Sequence, residues 1–379
     1  MKRKHIPIAA PVFAGNEIKY VNDCMESTWI SSSGKYIQAF EEEFAQFCHV
    51  KHALSCSNGT VALHLPLLAL GIGSGDEVIV PTFTYVATAN CVMYTGATPV
   101  FVDSEPKTWN MDPNKIEQAI TPRTKAIIVV HIYGHPATMT PIMAIARKYG
   151  LIVIEDAAEA HGAQYQGNAV GSIGDVAIFS FFGNKIITTG EGGMITTNSD
   201  TLAAKMRQLK GQGMDPSRRY WFTMVGYNYR MTNIEAAIGL AQLEKIDWHI
   251  TQRRRIADTY KKQLEKHPDI YIQPELPGCK NVYWMTSLIL SGNLPDRDQV
   301  ILQLADSGIE TRPFFYPMHT LPIYKDLAHG RDFPVADWIS ARGINLPSSA
   351  NLAEDDIRYI CDTLTSILFA SGSLKAKDD

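Results

Sequence analysis

Short apolar runs alternate with stretches of helical spacing through the first half of this chain, and that alternation calls for a mostly parallel sheet crossed by helices. The strand candidates are residues 77–80, 98–102, 126–132, 151–155, 176–181 and 193–197. Between them, Ile37, Phe40, Phe44 and Phe47 recur at helical spacing, with Glu41, Glu42 and Glu43 largely off that face. Residues 139–149 and 202–209 read the same way. Residues 61–70 also read as a helix, which Pro66 should kink or deprive of a hydrogen bond.

The pattern changes later. One long helical stretch runs from Asn233 to about His267, followed by a Pro-, Gly- and polar-rich connector over 267–281. A strand (283–290), a helix (297–306), a strand (309–312) and two late helices complete the chain, and residues 371–379 read as frayed. This predicts a large domain over 1–250 and a smaller α+β domain over 251–379, joined by the long helix. A length of 379 residues suits two domains.

Composition excludes several classes. A net charge of -4 gives no electrostatic reason to bind nucleic acid or an anionic membrane. No apolar run approaches the roughly 20 residues that span a bilayer. The basic start, Met1-Lys2-Arg3-Lys4, lacks a following apolar stretch because Gly15, Asn16, Glu17 and Lys19 interrupt it. The 6 cysteines lie far apart with no C-x-x-C pair, which argues against a zinc knuckle and a secreted disulfide scaffold. A cytoplasmic protein is expected.

The chemistry gathers at strand ends. Leu151-Ile152-Val153-Ile154-Glu155-Asp156 is an apolar strand ending in carboxylates, and ligands of open parallel sheets bind beyond such ends. Further on, Phe179-Ser180-Phe181-Phe182-Gly183-Asn184-Lys185 places a lysine after a hydrophobic strand and before the turn Thr189-Gly190-Glu191-Gly192-Gly193. Alone, Lys185 would read as a surface loop residue. With Asp156 and Ser180 it supplies the parts of a pyridoxal phosphate site: an amine for the aldehyde, a carboxylate for the pyridine nitrogen, and a hydroxyl for the phosphate. Ser57-Asn58-Gly59-Thr60 opens a helix and reads either as a plain N-cap or as a phosphate cradle. Phe83 or Tyr85 would cover a ring. His131 and His135 have H-x-x-x-H spacing at a strand end, where the helical logic of a zinc pair fails, so no metal is expected. No strand–G-x-G-x-x-G–helix unit points to a nicotinamide site.

These motifs, with Glu155-Asp156-Ala157-Ala158-Glu159-Ala160-His161-Gly162 and Gly226-Tyr227-Asn228-Tyr229-Arg230-Met231, resemble the nucleotide-sugar aminotransferases of the DegT/DnrJ/EryC1/StrS family. The resemblance covers nearly the whole chain, from Trp29 to Pro347. It implies a fold-type I pyridoxal 5'-phosphate enzyme that takes an amino group from L-glutamate and gives it to a nucleotide-linked ketosugar. By position it implies that Lys185 bonds the cofactor, Asp156 pairs with the pyridine nitrogen and Glu159 lies near the ring hydroxyl. Gly59, Thr60 and Ser180 would hold the phosphate and Tyr85 would stack on the ring. Asn228 would reach the phosphate from the other subunit of a homodimer or tetramer, with Arg230 beside it. Trp29, Ser31, Arg230, Tyr316 and His319 are the candidate substrate contacts. Many relatives carry Gln where this chain has Glu159. A related dehydratase has His at the position of Lys185, so lysine there disfavours dehydration. A cofactor-holding regulator without turnover would have no need of the lysine.

Overall fold

The computed structural model describes residues 5–328 and 330–369, so the tail read as frayed, residues 371–379, lies outside the described residues. A seven-stranded sheet carries the strands in the spatial order His52–Cys56, Gly193–Thr197, Val176–Ser180, Ile152–Asp156, Thr124–Val130, Glu77–Pro81 and Thr98–Val102. Gly193–Thr197 runs antiparallel to both neighbours, and the remaining pairs are parallel. The carboxyl ends of most strands therefore open on one side, where an α/β sheet puts its ligands.

Several predicted boundaries move for local reasons. The strand expected over 126–132 ends at Val130, because the chain enters a tight turn over Ile132–Gly134 with Tyr133 at φ 55. His52–Cys56 escaped notice as a short edge strand with polar residues among its apolar ones. The helix Gly59–Leu70 runs on through Pro66 and ends at Gly71 in the left-handed conformation. It is buried on nearly every side (Ala62 to Leu67), which holds it together despite the missing N–H.

The single long helix expected from Asn233 is two helices, Asn233–Leu243 and Ile246–Leu264. The first starts in a Thr232/Glu235 capping box. The chain breaks where Glu244 is held from outside by the Tyr20 hydroxyl at 2.6 Å and Asn16 at 2.7 Å. The expected connector also contains structure. Ile270–Ile272 pairs with Thr286–Leu290, and Cys279–Lys280 pairs with Gln164–Tyr165. The strand predicted from 283 begins only at Thr286, after Tyr283 at φ 48. Of 309–312 only Arg312 is in a regular strand, Arg312–Pro313, while Ile309 bridges to Ile6. A four-stranded antiparallel sheet results, ordered Ile270–Ile272, Thr286–Leu290, Gly343–Leu346, Arg312–Pro313.

Ile256, Tyr260, Leu264, Leu288, Ile344 and Leu364 form a core against that smaller sheet. The larger core includes an aromatic block in which Phe44 meets Phe179 at 4.9 Å and Phe40 meets Phe181 at 5.1 Å. Fully burying such a side chain contributes about 1.5–3 kcal/mol. This block backs the strand that ends at Ser180. Glu41 departs from the expected solvent face of its helix. It is buried, and its carboxylate takes hydrogen bonds from Lys210, Arg207 and the N–H and hydroxyl of Ser55. None of the described helices is long and apolar enough to cross a membrane.

Candidate active site

A cavity of about 700 Å³ opens at the carboxyl ends of the strands, and Gly59, Thr60, Tyr85, Asp156, Glu159, Ser180 and Lys185 all line it. Chain positions far apart thus meet because each follows, or ends, a strand of one sheet.

The Lys185 side chain is nearly enclosed. Its Nζ lies 3.9 Å from Glu159 Oε1 and 4.0 Å from the centroid of the Trp284 ring. Burial drives the amine's pKa below the ordinary lysine value, against the pull of Glu159 and Asp156. Burial likewise pushes Glu159 up to about 7, although Lys185 and the Tyr133 N–H favour its charged form. Burial therefore moves both members of this pair toward neutrality. Glu159 Oε2 accepts the Tyr133 N–H at 2.7 Å, and the left-handed backbone of Tyr133 is what aims that N–H.

Asp156 ends its strand with Oδ2 accepting from the Thr88 hydroxyl at 3.0 Å and Oδ1 from the Ala158 N–H at 3.2 Å. Burial raises its pKa against these bonds, so a cationic partner would relieve a desolvated carboxylate. Behind the site His161 is buried against Phe179 and Phe181, and burial lowers it to about 3.

The anion end is built by Gly59–Leu70. The first N–H groups of a helix lack intrahelical acceptors, and Asn58 Oδ1 takes only that of Val61, at 2.9 Å. A Cβ on Gly59 would stand 2.8 Å from Ser180 Cβ, so only glycine lets the helix start come this close to Ser180. A carboxylate, a desolvated amine and an anion cradle with a nearby hydroxyl fit pyridoxal phosphate.

Other predicted residues lie outside this cavity. Asn228 accepts from Arg230 Nε at 3.0 Å, and Arg230 lines a separate cavity near Lys210. Trp29 is exposed, and Asn233 binds the carbonyls of Trp29 and Ser31, each at 2.7 Å. Tyr316 is exposed and does not line the cavity. His319 spends both ring nitrogens elsewhere, on Thr82 at 2.7 Å and Asp337 at 3.0 Å, and stacks on Phe333. His131 and His135 are pins: His131 binds Glu155 and the Ala137 N–H, and His135 binds the Pro136 carbonyl and the Leu276 N–H.

Sequence reasoning missed Thr88, Trp284, Arg312, Phe315 and Asn345, which also line the cavity. Thr88 stands three residues after Tyr85, and Arg312 opens an aromatic run, so both carried a signal. Trp284 and Asn345 carried none, since neither stands in a motif read as chemistry.

The DegT/DnrJ/EryC1/StrS aminotransferase family pattern matches residues 12–365. A GDP-perosamine synthase of Caulobacter vibrioides (strain ATCC 19089 / CIP 103742 / CB 15) is 56% identical over 96% of this chain and 98% of its own. Another of that name, from Escherichia coli O157:H7, is 52% identical over 95% and 98%. Among solved structures, the PLP form of Spr1654 from Streptococcus pneumoniae superposes with a TM-score of 0.90 at 28% identity, covering 96% of this chain and 98% of that one.

Proposed function

We propose a specific reaction for this chain, which belongs to the DegT/DnrJ/EryC1/StrS aminotransferase family. It transfers the amino group of L-glutamate to C4 of GDP-4-keto-6-deoxy-D-mannose, giving GDP-perosamine. The supporting observation is near full-length identity of 56% and 52% to proteins named GDP-perosamine synthase, in a chain whose cavity joins Lys185, Asp156 and Glu159.

Pyridoxal phosphate, when bound, supplies an aldehyde for the amine and a ring that withdraws electrons from the adjacent carbon. Gly59, Thr60 and Ser180 hold its phosphate, and Tyr85 covers its face. Lys185 would hold the aldehyde through Nζ and give way to the donor amine. The freed Nζ would then take the proton from the donor's α-carbon and deliver it to the carbon Lys185 had bonded, two atoms along. Its lowered pKa suits that role, because a neutral amine is a base. Asp156 holds the proton on the pyridine nitrogen. Arg312, half exposed at the cavity mouth, offers a fork for a donor carboxylate or a nucleotide phosphate.

Asn228 and Arg230 lie outside their own chain's cavity, which supports a homodimer, alone or paired into a tetramer, in which they reach the neighbouring site. We infer a cytoplasmic enzyme whose product is consumed by glycosyl transfer into surface polysaccharide, such as the O-antigen of lipopolysaccharide.

The test is a visible absorbance titration of the cofactor-loaded protein. L-glutamate should bleach the yellow colour, and GDP-4-keto-6-deoxy-D-mannose should restore it once the donor is removed. Restoration only by a UDP- or dTDP-linked 4-keto-6-deoxy sugar would keep the chemistry and overturn the substrate. Failure of glutamate to bleach the colour would overturn this donor and reaction together.

A further inference from the structure

Arg253 is 3% exposed on the helix Ile246–Leu264, and no carboxylate pairs with it among the described residues. A buried guanidinium without a counter-charge is costly, so its donors must be spent on something the fold needs. Nε is buried with no hydrogen-bond partner among the described residues, while the two terminal nitrogens reach three backbone carbonyls. Nη1 donates to those of Trp284 and Ser348, and Nη2 donates to that of Lys185 at 3.3 Å. Trp284 closes the loop from its other end. Its indole Nε1 donates to the Asn184 carbonyl at 2.7 Å, and its ring carries the Lys185 amine at 4.0 Å.

We propose that Arg253 is a positioning residue for the amine transfer, holding the backbones of Lys185 and Trp284 in one frame so that Nζ keeps a fixed place on the indole face beside Glu159. The inference rests on the reading of Lys185 as the reacting amine. A rigid frame matters there because the freed Nζ must reach the donor's α-carbon to take its proton, and small misplacements of a reacting group cost large factors in rate. Arg253 also acts through its charge. It faces Lys185 from the helix, Glu159 and Asp156 face it from the sheet end, and His161 behind them stays neutral. Burial and the guanidinium favour the neutral amine, while the two carboxylates and the indole face favour the ammonium. Lysine in place of Arg253 would keep the charge and lose the fork that spans the carbonyls. Glutamine would lose the charge.

The experiment compares Arg253→Lys, Arg253→Gln and the parent as full-length proteins. Lys185 acetylation in cofactor-stripped samples is followed by peptide mass spectrometry from pH 6 to 10, with exposed Lys266 as reference. In R253Q, Lys185 labelling near pH 8 should fall about threefold or more relative to Lys266, because a repelling charge is gone. In R253K the labelling profile should hold, while kcat in the loaded enzyme falls about 10- to 100-fold and KM for glutamate changes little. Should R253Q not fold, Trp284→Phe tests the frame by removing the indole N–H, with the same kcat loss expected. The proposal is overturned if labelling matches the parent in R253Q, or if activity in the variants falls only in step with the folded fraction. Those outcomes leave the aminotransferase reading standing, whereas full turnover by Lys185→Ala would sink that reading itself.

Discussion

Gly59→Ala tests the anion cradle most directly. The new Cβ would sit 2.8 Å from Ser180 Cβ and 3.0 Å from Ser180 Oγ. Carbon atoms in contact prefer about 3.5–4.0 Å, so the start of the helix must retreat by roughly 0.7 Å or Ser180 must yield. Ser180 ends a strand backed by Phe179 and Phe181, both fully buried, and has little room to move. Overpacking of this kind costs about 1–3 kcal/mol. If the helix start retreats, the cost appears in cofactor affinity, roughly a 5- to 150-fold rise in Kd. The assay is a cofactor titration read by absorbance, beside urea unfolding of the cofactor-free protein. Ser180→Gly in the same chain removes the clashing Cβ, so the double variant should regain stability while cofactor binding stays weak for want of the hydroxyl. A Gly59→Ala protein with parental Kd would refute the claim that this approach forms the phosphate site.

Lys185→Ala should fold and lose turnover, measured as glutamate-dependent product formation; retained activity would remove the lysine from the mechanism. Asp156→Asn should keep some cofactor but lose most of the rate, since a neutral amide cannot stabilise a pyridinium, and an unchanged single-turnover rate would move that role elsewhere. Glu41→Gln leaves Lys210 buried without its counter-charge and should lower stability in urea by about 3–5 kcal/mol at pH 7; a loss under about 1 kcal/mol would contradict the buried-pair reading. Burial alone would raise the Glu41 pKa, but Lys210 and Arg207 outweigh it and hold the pKa below the usual carboxylate value. That contribution is complete above the unfolded carboxylate's pKa and is lost as pH falls through the lower folded value. The parent's urea midpoint should therefore drop on acidification below about pH 4 more steeply than the variant's.

Much of the large sheet and the chemistry at its strand ends was legible, because buried parallel strands read as apolar runs and the site residues follow them. Lys185, Asp156 and Ser180 sit next to strands the pattern exposes. The smaller sheet was less legible, since Ile270–Ile272 and Arg312–Pro313 are too short for a periodic signal, and Gly343–Leu346 directly follows a helix. Trp284 and Asn345 were missed as well, standing in no motif read as chemistry. The break between Leu243 and Ile246 was hidden because Glu244 and Lys245 are ordinary helix formers, with no Gly or Pro to mark it. Glu41 was misread for the complementary reason: helical spacing reports the face it shares with neighbours, while Lys210 and Arg207 come from another helix.

The pair Glu155-Asp156 shows how far strand geometry goes in separating structure from chemistry. Successive side chains of a strand point to opposite faces, so two adjacent carboxylates cannot share one site. Glu155 turns away from the cavity and is saturated: Oε1 accepts the N–H groups of Ile173 and Gly174, each at 2.8 Å, and Oε2 accepts those of Gly171 at 3.0 Å and His131 at 3.1 Å. Burial would raise its pKa, but these donors outweigh it and keep it low, leaving no capacity for a ligand. Asp156 holds two donors, points into the cavity and has its pKa raised by burial. The first carboxylate is spent on fastening the loop at residues 171–174 to the sheet, and the second is left under-neutralised where a cation would relieve it. Substituting glutamine at 155 should therefore lower stability in urea with the cofactor site still competent in the folded fraction, whereas asparagine at 156 should leave stability near the parent's and lose most of the rate.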